Sequence, residues 1–133
     1  MAIERFMVPG ELEPVSHYCH VVKAGDFIYL SGMVGMTADG TIPPDTVGQF
    51  EIALRSIDTC LRHAGGRPEQ VVKVLGMVNC APGFTDTPKV MHGFSELLYE
   101  VLGERGRHAR SAVGMQALPG DVPIEVETIF EIE

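Results

Sequence analysis

The chain has 133 residues, of which 45% are hydrophobic and 21% are charged, and its formal net charge at pH 7 is −8. This composition predicts one folded domain over residues 1–133 and argues against disorder. The acidic balance argues against binding to nucleic acid or to an anionic membrane, and no apolar run approaches the roughly 18 residues of a membrane span. The three cysteines have no metal-ligand spacing and no secretory signal is evident, so a cytoplasmic location is predicted.

The first half of the chain predicts two strands and a helix. The strands are His20–Lys23 and Phe27–Ser31, joined at the turn-forming Ala24-Gly25-Asp26. The next segment, MVGMTADGTIPPD, is rich in Gly and Pro and predicts an irregular loop. A helical period begins near Thr46 and ends at Gly65-Gly66, which supplies a left-handed residue. Its apolar stripe consists of Phe50, Leu54, Ile57, Leu61 and Ala64.

The second half predicts a buried strand, a second helix and two further strands. The strand is VVKVLGMVNCAPG, and the helix begins at Thr87-Pro88 and ends at Gly103. The last two strands, RSAVGMQ and VPIEVETIF, are separated by ALPGD. The order β-β-α-β-α-β-β predicts an α+β fold with two helices on one sheet. The stripe of the second helix consists of Val90, Met91, Phe94, Leu97, Leu98, Val101 and Leu102.

The last two strands are predicted to pair as a hairpin about Pro119-Gly120. With that register, alternation places Val113 and Met115 on the helix-covered face together with Ile124 and Val126. The opposite face would then carry a cation, two carboxylates and small residues. The pattern alone leaves two interpretations open: a solvated face with an ion pair, or a carboxylate-binding Arg beside a water-activating Glu. The residues of this second face are Arg110, Ala112, Gly114, Gln116, Glu125 and Glu127.

Several motifs, in this order along nearly the whole chain, resemble the Rid family, also called YjgF. They are AGDFIYLSG, the Gly65-Gly66 helix end followed by PEQVVKV, the ARS at 109–111, and ALPGDVPIEVE. The resemblance implies a chorismate-mutase-like α+β fold and a homotrimer with an active site at each subunit interface. It also implies a cofactor-free and metal-free hydrolysis of reactive 2-imino acids and enamines to 2-oxo acids and ammonia.

The resemblance implies a set of site residues as well. Arg110 corresponds to the Arg that binds the substrate carboxylate, and Glu125 to the Glu that positions the attacking water. Tyr18 and Ser31-Gly32 correspond to residues that line the family pocket, and Ala112, two residues after Arg110, is also expected to contact the substrate. A guanidinium suits a carboxylate because it donates two parallel hydrogen bonds, and a carboxylate near water can accept a proton during attack.

Departures from the family pattern widen the choice of function. They reshape the expected pocket, so a larger substrate such as an aminomuconate-type enamine is one alternative, and a non-catalytic trimer that binds small ligands or acts like a chaperone is another. Ribonuclease activity, which has been attached to relatives, fits the acidic chain poorly. The departures are Ala112 in place of a common Cys, Gly114 in place of a Glu, Met33 in place of a Gln, and His17, His20 and His108 at other family positions.

Three other features are weighed at the sequence level. His17 and His20 lie three residues apart on a predicted strand, so they chelate a metal poorly together. Cys19 as a nucleophile would need to converge in space with a His, and the sequence cannot show such convergence. His108, beside the predicted anchor, either influences substrate charge or is merely solvated.

Overall fold

Two helices cover one face of a seven-stranded sheet in the computed structural model, which describes residues 2–133. The helices are α1, Thr46–His63, and α2, Thr87–Leu102. This confirms the α+β class and the predicted element order, to which the structure adds the short strands β1 and β4. The strands are β1 Ile3–Phe6, β2 Val21–Ala24, β3 Phe27–Leu30, β4 Met33–Val34, β5 Val71–Asn79, β6 Ala109–Met115 and β7 Ile124–Glu131.

The helices begin and end where the sequence indicates. The Asp45 side chain accepts a hydrogen bond of 2.7 Å from the Gly48 N–H at the start of α1, and Gly65 follows its end with a φ of 88°. Gly103, with a φ of 65°, ends α2. The predicted stripes face the core with one exception, because Val101 is 61% exposed. No described helix has the length and apolarity needed to cross a membrane.

The sheet has the order β1-β2-β3-β7-β5-β6, and β4 also pairs with β7. Strand β6 runs parallel to β5 and is reached through α2, whereas β7 runs antiparallel to β5 on its other side. The predicted hairpin between β6 and β7 is therefore wrong, since β5 lies between them. The two strands do not pair because α2 forms the crossover of a β-α-β unit, which places β6 parallel to β5 at the edge of the sheet.

This interposed strand also reverses the predicted faces of β6. Arg110 pairs with the buried Val74, so it lies on the face that the helices cover. Glu125 pairs with Met77, which lies on the opposite face. Val113 also pairs with Met77, so it shares the face of Glu125 and not that of Ile124. Arg110 and Glu125 of one chain thus lie on opposite sides of the sheet.

The core lies between the helices and the sheet. Phe50 of α1 and Phe94 of α2 are fully buried with ring centroids 5.6 Å apart, and Met91 packs over Gly76 of β5, where a Cβ would lie 2.4 Å from the Met91 Cε. The opposite face holds a smaller cluster around Met77. Elsewhere that face exposes apolar side chains, among them Phe27 at 37% and Tyr29 at 44%.

Candidate functional site

A cleft of about 310 Å³ brings together four of the six residues predicted to form the site. Its walls come from the segment before β2, the β3–β4 connection and the start of β7. Among the described residues that line it there is no Lys or Arg. The cleft therefore presents three carboxylates, those of Glu11, Glu13 and Glu125, together with hydroxyls, but no Lys or Arg among the described residues. The four predicted residues are Tyr18, Ser31, Gly32 and Glu125.

Glu125 is the carboxylate that strand β7 contributes to this cleft. It is the second residue of β7 and pairs with Val34 on one side and Met77 on the other. The side chain is half-buried, and burial raises the pKa of its carboxyl, with the nearby charge of Glu127 as a smaller cause. A carboxylate with a raised pKa is a stronger base than an ordinary glutamate, so it is better suited to accept a proton from water and return it.

Gly32 provides the space that the Glu125 carboxylate occupies. A Cβ at position 32 would lie 2.0 Å from Oε2 of Glu125 and 2.8 Å from its Cδ. The backbone of Gly32 is outside the positive-φ region, so glycine is required here by close approach and not by conformation. Within the predicted Ser31-Gly32 pair, Gly32 therefore contributes to the cleft by leaving space for the Glu125 carboxylate.

Ser31 links the β3–β4 connection to the segment that carries Tyr18. Its hydroxyl donates a hydrogen bond of 2.7 Å to the carbonyl of Cys19, and its N–H donates to the carbonyl of His20. The Ser31 oxygen therefore retains acceptor capacity towards the cleft. Tyr18 is 49% exposed, and its hydroxyl has no hydrogen-bond partner among residues 2–133.

His20 fixes the other wall of the cleft and is not available to a metal. Its Nδ1 accepts from the Val8 N–H at 2.9 Å, and its Nε2 donates to the Leu12 carbonyl at 2.7 Å. Both ring nitrogens are thus occupied in the neutral imidazole. Within the described part of the chain, no three His, Cys, Asp or Glu side chains are placed to hold a metal ion.

Arg110 and Ala112, the other two predicted site residues, lie outside this cleft. Arg110 is half-buried beside α2, where its Nη1 donates a hydrogen bond of 3.1 Å to Ser95 Oγ. No carboxylate among residues 2–133 forms an ion pair with it. Ala112 packs against the core below α2, and its carbonyl accepts a hydrogen bond from Thr87 Oγ1.

Ser95 is a neighbour of Arg110 that the sequence alone does not single out. Its hydroxyl lies 3.0 Å from Nε2 of His108, whose Nδ1 is 2.7 Å from the Gly106 carbonyl. His108 is half-buried and bonded at both nitrogens, so it is not a solvated loop side chain. The sequence signal for this cluster was His108, which departs from the family pattern. Ser95 has no feature in the sequence that distinguishes it from other polar residues of the second helix.

Another cavity, of about 450 Å³, lies in the groove between α1 and α2. It contains none of the predicted site residues, and two of its charged residues, Arg62 and Asp58, pair with each other at 2.9 Å. The cleft at Glu125 combines predicted residues with a perturbed carboxyl, so it is the better candidate for chemistry.

Fold and site together define a small α+β protein that holds a half-buried carboxylate in a cleft beside its sheet. The chain matches the Endoribonuclease L-PSP family over residues 9–132 and belongs to that family, which is the Rid (YjgF) family indicated by the sequence motifs.

Individual relatives agree with this assignment. The chain is 26% identical to a 2-iminobutanoate/2-iminopropanoate deaminase of Dermatophagoides farinae, over 91% of this chain and 90% of that protein. It is 32% identical to Atu1372 of Agrobacterium tumefaciens, a solved structure of unknown function, with a TM-score of 0.77 over 89% of this chain and 85% of the other. The YjgF gene product of E. coli shares the fold, with a TM-score of 0.82 and 22% identity over 98% of this chain and 99% of that one.

Proposed function

We propose that the protein hydrolyses reactive 2-imino acids, and the enamines in equilibrium with them, to 2-oxo acids and ammonia. The observation that carries this proposal is the half-buried Glu125, whose pKa is raised, in a cleft shaped by Gly32 and bordered by hydroxyl groups. The deaminase named among the relatives supports the reaction class. An imine carbon is electrophilic already, so orientation and proton transfer are the tasks left to the protein.

In the proposed reaction, Glu125 accepts a proton from water as the water oxygen bonds to the imine carbon. That proton passes to the nitrogen and gives a carbinolamine. Glu125 then takes the hydroxyl proton of the carbinolamine and returns it to the nitrogen as the carbon–nitrogen bond breaks, so ammonia leaves and the carbonyl of the 2-oxo acid forms. Ser31 Oγ, whose hydrogen is directed to the Cys19 carbonyl, has lone pairs available for an imine N–H. Tyr18, at the mouth of the cleft, is positioned to donate to the substrate or the product oxygen.

The substrate carboxylate needs a cation that the cleft of one chain does not supply. We propose that Arg110 of a neighbouring subunit supplies it in a homotrimer with its active sites between chains. Arg110 lies on β6, the edge strand of the sheet, where a neighbour can approach it. The apolar face opposite the helices, which exposes Phe27, Tyr29 and Val113, supports burial against other copies of the chain.

Single substitutions test the two roles. Arg110→Ala and Glu125→Gln are each expected to lower turnover of freshly generated 2-iminopropanoate by at least about a hundredfold. Ammonia and 2-oxo acid are measured above the spontaneous rate. Arg107→Ala is the matched control, because Arg107 is exposed and paired with Glu104 at 2.7 Å, so its loss is expected to leave turnover unchanged. Full activity in Arg110→Ala would refute the anchoring role.

Mixed assemblies test whether the site is shared between chains. When Arg110→Ala and Glu125→Gln chains are unfolded and refolded together in equal amounts, about a quarter of the sites in a cyclic trimer combine an intact Glu125 with an intact Arg110 of the neighbour. Activity of the mixture is therefore expected to return to about a quarter of the wild-type value. No recovery, although mixed assemblies form, would show that both groups must come from one chain.

A larger enamine, such as an aminomuconate type, is the second candidate substrate. The small residues Ala112 and Gly114 follow Arg110 on the same face of β6, beside a surface cavity of about 370 Å³ that Gly114 and Cys80 line. In this proposal a longer substrate extends from Arg110 along β6 towards that cavity, which Arg110 itself does not line. A panel of imines and enamines of increasing length, assayed with the wild type and with Gly114→Ala, distinguishes the two substrate classes.

Two further interpretations are weaker. A non-catalytic binding protein would release no ammonia above the spontaneous rate, which the same assay measures. RNA cleavage is disfavoured by the net charge of −8 and because arginines such as Arg62, Arg105 and Arg107 are already paired with carboxylates. The cytoplasmic location remains a prediction from the cysteine pattern.

A further inference from the structure

A chain of hydrogen bonds connects Arg110 to the backbone through two side chains. Gly106 offers only a carbonyl to His108 Nδ1, at 2.7 Å, so Nδ1 carries the hydrogen and the neutral ring leaves Nε2 as an acceptor. Arg110 Nη1 can only donate, so Ser95 Oγ accepts from it at 3.1 Å. The hydroxyl hydrogen of Ser95 is then free to donate to Nε2 of His108 at 3.0 Å.

With His108 in the tautomer that carries its hydrogen on Nδ1, every donor in this chain of hydrogen bonds has an acceptor. Ser95 and His108 are both half-buried between α2 and the start of β6. The neighbouring carboxylates contact other side chains and not the Arg110 guanidinium. Glu104 pairs with Arg107, and Glu96 lies 3.5 Å from His92 on the exposed side of α2. The one side-chain hydrogen bond of Arg110 within residues 2–133 is the bond to Ser95.

We propose that Ser95 and His108 are positioning residues that hold the Arg110 guanidinium by Nη1 and leave its remaining N–H groups for the substrate carboxylate. This inference rests on the proposed role of Arg110 as the carboxylate anchor. A guanidinium binds a carboxylate well only when its planar fork is oriented, and a free Arg side chain loses rotamer freedom on binding. Holding the guanidinium beforehand lowers that cost and affects carboxylate binding more than the chemical step.

The test compares KM and kcat in variants of the two positioning residues. Ser95→Ala is expected to raise KM for 2-iminobutanoate about tenfold while kcat changes less than about twofold, whereas Ser95→Thr, which keeps the hydroxyl, stays near wild type. His108→Leu is expected to raise KM about three- to fivefold, and His108→Gln, whose amide oxygen can accept from Ser95, to restore it. His92→Gln, an exposed substitution on the same surface, is the control.

Two further measurements separate positioning from a general structural role. For the primary amide of the same imine, which has no carboxylate, Ser95→Ala is expected to behave like the wild type. The dissociation constant of 2-oxobutanoate, measured by calorimetry without turnover, is expected to rise by the same factor as KM. Equal losses on the acid and the amide, or a lower kcat with unchanged KM, would overturn the proposal.

Arg110→Ala, run beside these variants, distinguishes failure of this inference from failure of the proposed function. If Arg110→Ala weakens 2-oxobutanoate binding but Ser95→Ala and His108→Leu do not, the anchor stands and the positioning role is wrong. If Arg110→Ala leaves both binding and turnover unchanged, the anchoring role of Arg110 fails and the positioning role fails with it. If the wild type itself releases no ammonia above the spontaneous rate, the proposed function fails.

Discussion

Replacing Gly32 by Ala is expected to displace the Glu125 carboxylate while leaving the fold intact. The added Cβ would lie 2.0 Å from Oε2, and contacts under 3.0 Å do not persist, so that oxygen must move by at least 1 Å. It is the far end of a flexible side chain, and the Glu125 Cγ at 3.0 Å is already at the limit of an allowed contact. The side chain can therefore rotate away, at a cost to stability of about 1 kcal/mol.

A displacement of this size is expected to affect catalysis far more than stability. Misplacing a catalytic group by 1 Å costs roughly a hundredfold in rate, so we expect turnover of 2-iminopropanoate to fall by about that factor. Urea denaturation of the same samples reports the free energy of unfolding. Activity within about threefold of wild type would refute the reasoning that Gly32 is required by the position of the carboxylate.

A double-substitution cycle identifies the contact responsible. Glu125→Ala removes the Cγ, Cδ and Oε2 atoms that the new Cβ would meet, so adding Gly32→Ala to it is expected to cost almost no further stability. An equal cost of Gly32→Ala with and without the Glu125 side chain would show that the strain arises elsewhere.

Three further predictions concern pH, a buried histidine and a cysteine. The pKa of Glu125 is raised in the folded protein, so protonation of this residue stabilises the fold at low pH. This contribution to the free energy of unfolding is lost as pH rises from the ordinary glutamate range through the raised pKa. Glu125→Gln should flatten this pH dependence of the free energy of unfolding, measured by urea denaturation at several pH values. His20→Ala leaves a buried N–H and a carbonyl unpaired and is expected to cost about 2–3 kcal/mol of unfolding free energy. Burial raises the pKa of Cys60 to about 12, so iodoacetamide should label the other two cysteines first and Cys60 only in denaturant, as mass spectrometry would show.

The helices and the alternation of side chains within a single strand follow from local pattern. The helical period of apolar residues and the residues typical of helix ends located α1 and α2. This works because each helix buries one apolar face, which contains Phe50 in α1 and Phe94 in α2. Alternation in β7 also correctly separated Ile124 from Glu125. The exposure of Val101 was not predicted because helix spacing defines the edge of an apolar stripe only approximately. Strands β1 and β4 were not predicted because they are too short to show a clear alternation of apolar and polar residues.

The neighbours of a strand depend on contacts that local pattern does not contain. The residues Pro119-Gly120 are typical of a hairpin turn. In the structure they belong to a three-residue helical turn that connects β6 to β7, and β5 lies between those two strands. The prediction therefore placed Arg110 and Glu125 on one face of the sheet, whereas the structure places them on opposite faces. Family motifs indicated Tyr18 and Gly32 near Glu125, whereas Ser95 acquires its meaning only from its contact with Arg110.

The position of β5 between β6 and β7 has a consequence for how the protein behaves at low concentration. An isolated chain cannot bring its own Arg110 to its own Glu125, so under the proposed reaction a folded monomer is inactive. Specific activity should then fall on dilution below the dissociation constant of the assembly, and recover on concentration, with no change in the circular dichroism of the fold.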